Sequence, residues 1–410
     1  MTIRQAAILV GGLGSRLGAL TAETPKPLLR CGDRPFLAWV LRELCRYGIE
    51  ETLLLTGYLA GTVEHALPDL AADLPRPMRL LCLAEPSPAG TGGALFHARA
   101  HLADRFLLLN GDSWLDTPLS LLLAADDPAP IIGRMLLRPV PDAARYGIVD
   151  TDGERVVAFR EKDGRAGPAS INAGIYRFDR RVLDRVSVSC SLERDVMPTL
   201  ATDGALRATA ADGYFIDIGV PDDLARAQTE LPARLRRRAL FLDRDGVINH
   251  DHGYVGTQDR FDFMDGALQA IAAASQAGWH VFVVTNQSGI ARGFYDEAAF
   301  HTLMRWVLDQ VMAAGGTIDD MRYCPHHPDA TVAAYRGHSD WRKPAPGMIL
   351  DLLTQWQLDP AQCVLVGDQP SDLAAASAAG VPGVLFRGGD LRDTVLPVLA
   401  SPPPPPHPPT

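Results

Sequence analysis

Along this chain, short apolar runs, each long enough for one strand, end repeatedly in glycine, aspartate or threonine and give way to helical patterns. Ala6-Ala7-Ile8-Leu9-Val10 runs into Gly11-Gly12, and the run 105–110 into Gly111-Asp112. Later, Ala239-Leu240-Phe241-Leu242 runs into Asp243, 280–284 into Thr285, and 362–366 into Gly367-Asp368. Apolar strands alternating with helices predict largely parallel sheets covered on both faces. In such sheets ligands gather beyond the carboxyl ends of the strands, which is where these residues fall. The chain is read as α/β.

At 410 residues it exceeds one ordinary core, so two or three domains are expected. In the first half the pattern predicts strands at 5–10, 52–56, 78–83 and 105–110, with helices near 36–47 and 93–102. A mixed pattern follows over 131–178, with short strands at 155–160 and 174–178, and Ser191 opens a helix with a hydroxyl cap and an acidic first turn. The polar stretch 232–238, ending in Arg236-Arg237-Arg238, is expected to be a linker between a domain at 1–231 and a second at 239–398. In the second, strands are expected at 280–284 and 362–367 and helices near 265–277, 296–314 and 371–379. The proline-rich stretch 399–410 cannot pack a core and is expected to be a disordered tail.

Hydrophobic residues make up 47% of the chain and charged residues 21%, the balance of a soluble globular protein. A net charge of −10 argues against nucleic-acid or anionic-membrane partners. The six cysteines have no framework spacing and fit a reducing cytoplasm, where the chain is expected to reside; its oligomeric state stays open. Of 39 basic residues only Lys26, Lys162 and Lys343 are lysine, and each lies beside a glycine or carboxylate motif. A compact ammonium meets a phosphate oxygen as a point charge, whereas the arginine fork imposes its own plane.

In the first half, Gly11, Gly12 and Gly14 follow a strand and can turn backbone N–H groups toward a phosphate, although a plain tight turn would look the same. No P-loop lysine follows; Arg16 and Pro25-Lys26-Pro27 supply the cations instead. A second turn, Gly90-Thr91-Gly92-Gly93, precedes Asn110-Gly111-Asp112, and Asp217 comes later. Carboxylates such as Asp112 and Asp217 can hold Mg²⁺ against nucleotide phosphates, although Asp217 could instead cap the helix after Pro221. In this order, over residues 3–230, the motifs resemble the sugar-1-phosphate nucleotidyltransferases, a Rossmann-like fold with a mixed, mainly parallel sheet. Arg145-Tyr146-Gly147, Ile171-Asn172-Ala173-Gly174 and Tyr214-Phe215-Ile216-Asp217 are most similar to the D-glycero-α-D-manno-heptose-1-phosphate guanylyltransferases. The resemblance implies that Gly11, Gly12, Gly14 and the turn Gly90, Thr91, Gly92 and Gly93 bind the nucleotide, GTP. It implies that Arg16 and Lys26 stabilise charge on its phosphates, that Glu161, Asn172 and Gly174 meet the sugar, and that Lys162 meets the sugar phosphate.

In the second half, Asp243 and Asp245 end a strand two residues apart, a spacing that suits a nucleophile and a proton donor but also a metal or turn feature. Thr285, Arg342-Lys343-Pro344 and Gly367-Asp368 follow in order. Over residues 239–390 these pieces resemble the haloacid-dehalogenase superfamily, which implies a Rossmannoid domain. Only 42 residues separate Asp243 from Thr285, so a minimal cap is expected. The resemblance implies that Asp243 is the nucleophile, Asp245 the general acid and base, and Thr285 and Lys343 the stabilisers of the transferring phosphoryl group. Mg²⁺ would be held by Asp243, Asp245 and Asp368. Asp251-His252-Gly253-Tyr254, the run from Thr285 to Gly293, and Cys324-Pro325-His326 are similar to the D-glycero-D-manno-heptose-1,7-bisphosphate 7-phosphatases. By that likeness Arg244, Asp251, His252, Gly253, Tyr254, Asn286, Gln287, Ser288 and Arg342 would bind substrate. Histidinol-phosphate phosphatases share much of the pattern. The family's structural Zn²⁺ set is incomplete here: Cys324 and His326 remain, Ser339 and Trp341 stand at the later cysteine positions, and Zn²⁺ is not expected. Gln369 stands where the family has lysine.

Together the two resemblances imply a bifunctional enzyme. One half removes the 7-phosphate of heptose 1,7-bisphosphate and the other transfers GMP to heptose 1-phosphate, with heptose phosphates and GTP as small-molecule substrates. The alternatives are another sugar 1-phosphate used with UTP, joined to a different small-molecule phosphatase, or a regulatory protein with degenerate sites.

Overall fold

In the computed structural model, which describes residues 3–12, 14–160 and 167–402, the chain divides into two compact units, Met1–Leu235 and Arg236–Thr410. Among the described residues no helix is long and apolar enough to cross a membrane.

The first unit is built on strands β1 (Gln5–Leu9), β2 (Glu51–Thr56), β3 (Arg79–Ala84), β4 (Arg105–Asn110), β5 (Ser113–Leu115), β6 (Gly133–Val140), β7 (Ile148–Asp152), β8 (Arg155–Arg160), β9 (Ala169–Asp179), β10 (Leu206–Ala210) and β11 (Phe215–Asp217). Nine of them form one sheet in the order β3-β2-β1-β4-β9-β6-β10-β8-β7, and β11 pairs with β5 in a separate ribbon. The β3-β2-β1-β4 half is parallel, and β9 joins it antiparallel to β4. A core of Leu53, Leu95, Phe106, Leu108, Tyr176, Phe178 and Leu200 fills one face; each fully buried side chain of this size contributes about 1.5–3 kcal/mol. The parallel half places Val10–Gly12 and Asn110–Asp112 together, because β1 and β4 are neighbours in register.

The second unit has strands β12 (Ala239–Leu242), β13 (His280–Asn286), β14 (Asp320–Cys324), β15 (Cys363–Gly367) and β16 (Gly383–Leu385), all parallel, in the order β14-β13-β12-β15-β16. The central strand β12 is wholly buried, which is why it reads as an unbroken apolar run. Helices Ala267–Gln276 and Glu297–Ala313 cover the sheet through Ile271, Phe300, Met304 and Val307. Asp296 starts the longer helix by accepting a hydrogen bond from Ala299 N at 2.8 Å. Between Asp243 and the helix at Ala267 there is no inserted domain, only loops and the short turn Gln258–Arg260.

Several boundaries differ from the sequence expectation. The helix Pro221–Leu235 continues into the polar stretch expected to be a linker, because Leu231 and Pro232 are buried. The last helix, Arg392–Ala400, reaches two residues into the expected tail, anchored by buried Val395; residues 403–410 lie outside the described residues. The helix expected near 93–102 runs over Gly90–Ala98 instead, and the strand expected at 174–178 is longer, Ala169–Asp179. Ser191 does cap a helical segment, with Oγ accepting from Arg194 N at 3.2 Å, but its first turn, Leu192–Val196, is a π turn.

Behind β6 and β9, Asp127 is enclosed by three arginines. Arg134 grips it with a fork at 2.9 and 2.7 Å, Arg207 lies at 3.3 Å, and Arg177 completes the cluster. Burial raises the Asp127 carboxyl, but the guanidinium groups outweigh it and hold the group below the usual carboxylate range. Glu154 still meets Arg134 at 2.7 Å, but buried Arg177 loses its carboxylate, so Asp127→Asn should destabilise the first unit by about 3 kcal/mol in urea unfolding. Because the folded value is depressed, the stabilisation is complete above pH about 4 and is lost as pH falls through the folded value.

Candidate functional sites

At the carboxyl edge of the first unit, Val10 N donates to Leu55 O at 2.8 Å, tying the start of the glycine turn to β2. Gly14, in the left-handed region at φ 63°, heads the tight turn Ser15–Thr21, and Arg16 stands exposed on it. Pro25-Lys26-Pro27 carries the Lys26 ammonium to 2.6 Å from Asp112 Oδ2 at the end of β4. Asp217 sits opposite Ser113 in the β11–β5 ribbon, and Ile218 N donates to Asp112 O at 3.0 Å. Two aspartates distant in sequence are thereby set on neighbouring backbones. Asp217 Oδ1 accepts from Gly219 N at 2.8 Å, a local turn bond, before the helix at Pro221 begins.

Asn172 and Gly174 lie where the pairing of β9 with β6 shifts register. Gly174 N donates to Asn172 Oδ1 at 3.0 Å, and Asn172 Nδ2 donates to Tyr176 Oη at 2.6 Å. Gly174 has φ 75°, and a Cβ there would lie 2.6 Å from Asn110 Nδ2, so the bulge requires glycine. Glu161 and Lys162 lie outside the described residues.

The second glycine turn is held against a neighbouring segment. Gly92 N and Gly93 N both donate to Cys190 O, at 3.0 and 3.1 Å, so these amides are engaged within the fold. A Cβ on Gly90 would meet the same carbonyl at 2.6 Å. Thr91 Oγ1 donates to Glu193 Oε2 at 2.7 Å and accepts from Leu192 N at 2.8 Å. The small residues of 90–93 let this helix start approach the 187–193 segment. Their sequence pattern is the same for close packing and for phosphate contact, so only the tertiary partner distinguishes them.

In the second unit β12 delivers Asp243 into a nearly closed environment. Lys343 Nζ lies 2.9 Å from Asp243 Oδ1 and 2.7 Å from Asp372 Oδ1, and it donates to Val284 O at 2.9 Å. Burial pushes Asp243 up, to about 7, with Lys343 pulling against that rise and Asp372 adding to it. Burial also works against the Lys343 charge, but the two carboxylates outweigh it and raise its pKa. Lys343 is held as a cation.

Asp245, two residues on, has partners of its own. Arg244 Nη2 grips its two oxygens at 2.7 and 2.8 Å, Asn249 Nδ2 donates to Oδ1 at 3.0 Å, and Gln287 Nε2 donates to Oδ2 at 2.9 Å. Arg244 and Gln287, both expected to touch substrate, are buried and bonded to Asp245. Arg244 also donates to Val255 O, and Gln287 also donates to Thr285 Oγ1 at 2.8 Å and accepts from Tyr295 Oη at 2.7 Å. Asn286 is likewise engaged: its Nδ2 donates to Lys343 O and its Oδ1 accepts from Lys343 N, both at 3.1 Å. The side chain fixes the backbone that carries the Lys343 ammonium.

Asp251, His252, Gly253 and Tyr254 form an exposed loop, whose carbonyls at 252–254 accept hydrogen bonds from Arg260. His252 Nε2 meets Asp262 Oδ2 at 2.7 Å, Asp251 Oδ1 accepts from Gly253 N at 2.8 Å, and Ser288 begins the short helix Ser288–Ala291. Arg342 Nη1 donates to His326 O at 3.2 Å.

Asp243, Asp368 and Asp372 present carboxylate oxygens within 4.8 Å of one another. Among the described residues, Asp368 Oδ1 is buried without a hydrogen-bond partner, and burial raises its pKa. Three hard oxygen donors, one of them orphaned, fit a divalent cation such as Mg²⁺. Cys324 and His326 belong to no such three-ligand group among the described residues. Sequence reasoning passed over Asp372, although its place five residues after Gly367, in the first turn of helix Pro370–Ala378, was the available signal. Gln369, standing in place of lysine, donates to Asp368 Oδ2 at 2.7 Å.

The family described as Nucleotidyl transferase matches residues 5–234, and that described as HAD-hydrolase-like matches residues 340–407. The chain is 49% identical over 164 residues to the D-glycero-β-D-manno-heptose-1,7-bisphosphate 7-phosphatase of Rhodopseudomonas palustris, a match spanning 40% of this chain and 91% of that protein. It is 46% identical over 152 residues to the D-glycero-α-D-manno-heptose-1,7-bisphosphate 7-phosphatase of Burkholderia mallei, spanning 37% of this chain and 80% of that one. The solved structure of HddC from Yersinia pseudotuberculosis is matched over its whole length and 56% of this chain, at 29% identity and a TM-score of 0.50. HddC has also been solved with GMP-PN, and that structure matches at 28% identity and a TM-score of 0.50.

Asp372→Asn removes one of the two carboxylates that match the buried Lys343 charge. We expect a loss of about 3 kcal/mol in the unfolding of the second unit, read by urea denaturation. An unchanged midpoint would show that Asp243 alone satisfies the cation.

Proposed function

Because the chain belongs to the nucleotidyl transferase family through residues 5–234 and to the HAD-like hydrolases through its second unit, we propose that it is a bifunctional enzyme of nucleotide-activated heptose synthesis. It joins a heptose-1-phosphate guanylyltransferase to a heptose-1,7-bisphosphate 7-phosphatase. The observation that carries this reading is the pairing, in one chain, of a full-length match to HddC with a near full-length match to a heptose-bisphosphate phosphatase. The product of the phosphatase, heptose 1-phosphate, is the acceptor for the other half.

In the second unit, Asp243 attacks the phosphorus of the 7-phosphate, forming an acyl phosphate as the bond to the sugar oxygen breaks. Asp245, held by Arg244, Gln287 and Asn249, gives its proton to that leaving oxygen. It then takes a proton from the water that releases inorganic phosphate. Lys343 and Thr285 offset charge on the phosphoryl group as it passes. Asp243, Asp368, Asp372 and the Asp245 carbonyl would hold Mg²⁺, which supplies charge neutralisation at the phosphoryl oxygens when bound.

In the first unit, an oxygen of heptose 1-phosphate attacks the α-phosphorus of GTP and pyrophosphate leaves. Arg16 and Lys26 stabilise the triphosphate charge, and Asn172 and Gly174 meet the sugar; the resemblance adds Glu161 for the sugar and Lys162 for its phosphate. Asp112 and Asp217 are hard oxygen donors that would hold Mg²⁺ for the phosphates. Gly11, Gly12 and Gly14 direct backbone N–H groups to the nucleotide. Work of this kind is mostly positioning and charge stabilisation.

Mass spectrometry of products from heptose 1,7-bisphosphate with each of the four nucleoside triphosphates tests the whole reading, and GDP-heptose should form only with GTP. Formation of no nucleotide-heptose at all overturns it. Asp243→Asn should abolish phosphate release yet leave GDP-heptose formation from supplied heptose 1-phosphate intact. Conversely, Lys26→Ala should lower nucleotidyl transfer by about 10²–10³-fold and spare phosphate release. Since Asp243 is raised to about 7 and must lose its proton to bind a cation, Mg²⁺ affinity of the second unit should weaken as pH falls below about 7, read by calorimetry.

A further inference from the structure

Arg292 and Arg342 stand beside the second site with no use in the chemistry described above. Arg342 directly precedes Lys343, whose ammonium is 2.9 Å from Asp243 Oδ1. Arg292 closes the short helix Ser288–Ala291, whose lead-in residue Gln287 holds Asp245 at 2.9 Å. Its guanidinium lies 5.7 Å from the ring of Tyr254. Tyr254 has a left-handed backbone, φ 53°, that leaves its ring exposed and 4.7 Å from the equally exposed Phe294 ring. The Arg292 guanidinium is therefore placed on the loop side of the open site, next to residues that face solvent.

Neither arginine has a carboxylate partner among the described residues. Arg292 Nε is without a hydrogen-bond partner, and Arg342 meets only the His326 carbonyl. Burial lowers the Arg342 pKa, and the nearby Arg292 charge lowers it further, as expected of two like charges with no anion between them. Arg244 is the contrast: it has a carboxylate partner, Asp245, which it meets through Nε and Nη2. Elsewhere in the chain clustered arginines enclose a carboxylate, as around Asp127. Two half-buried guanidiniums left without one suit a dianion with several acceptor oxygens, which each fork can meet with paired hydrogen bonds.

We propose that Arg292 acts with Arg342 to hold the phosphate monoester of the substrate that is not hydrolysed, making Arg292 a specificity-determining residue for a bisphosphate over a monophosphate. This rests on the reading of the second unit as a sugar-bisphosphate phosphatase. The phosphate under attack lies at Asp243 and Lys343, and the second one reaches the arginine pair across the sugar. A sugar carrying only the scissile phosphate leaves the pair unmatched and gains nothing from Arg292.

The test compares Arg292→Ala with the wild-type full chain on heptose 1,7-bisphosphate and on heptose 7-phosphate, with Mg²⁺ present, measuring phosphate release. The expected result is a rise in KM for the bisphosphate of roughly 10- to 100-fold, with little change in kcat, and no comparable change for the 7-phosphate. Arg292→Lys, which keeps the charge but not the fork, should recover part of the loss. It also keeps the proposal open to test should the alanine variant fold poorly. An equal fall on both sugars, or no fall on either, overturns the role of Arg292. A wild-type chain that hydrolyses neither sugar overturns the underlying reading and this proposal with it.

Discussion

Lys343 is a cation taken almost entirely out of water, with its ammonium 2.9 Å from Asp243 and 2.7 Å from Asp372. Such a charge is tolerable only where its matches are rigid. Asn286 clamps its backbone from the end of one strand, and Val284 accepts its third hydrogen bond from the same strand. Asp372 comes from the helix after another. The ammonium thus ties three strand ends to one point, and Asp243 sits on that point. The same low-dielectric setting that makes the cation costly also raises Asp243.

The first unit uses a looser version of the same device. Lys26 meets Asp112 at 2.6 Å, but both groups remain partly exposed, so the pair is screened more and can open toward a ligand. The contrast fits the chemistry. A phosphatase nucleophile must be held against one phosphorus atom, whereas a nucleotidyl site must admit a long, charged triphosphate and release pyrophosphate. In both units the strand order brings the groups together: β1 beside β4 in one, and β12 between β13 and β15 in the other.

Much of this was legible in the amino acids. Buried parallel strands must be apolar on both faces, so β1, β4, β12 and β15 announced themselves, and so did the polar residue at each strand's end. Asp112, Asp243, Thr285 and Asp368 could be marked on that ground, and Lys343 by the scarcity of lysine in the chain. Other residues could not be sorted. Arg244, Asn286 and Gln287 were marked as substrate contacts because they lie within the same motifs, yet each is turned inward to fix a neighbour. A motif records that a position matters, and a residue that orients a catalytic group matters as much as one that touches substrate. Gly92 and Gly93 were ambiguous for a related reason: an absent side chain serves close backbone packing and phosphate approach equally well.

What the sequence determined by itself is therefore local: which segments are strands, where each ends, and which chemical groups stand at those ends. These follow from periodicity and burial along a continuous stretch of chain. Only the tertiary structure decided which of those groups meet. It set Asp372 beside Lys343, placed Asp217 on the backbone next to Asp112, and left Arg292 and Arg342 without a carboxylate among the described residues. The physical reason is that hydrogen bonds and ion pairs act over a few ångströms. Their partners are chosen by strand order and loop path, which no local spacing encodes.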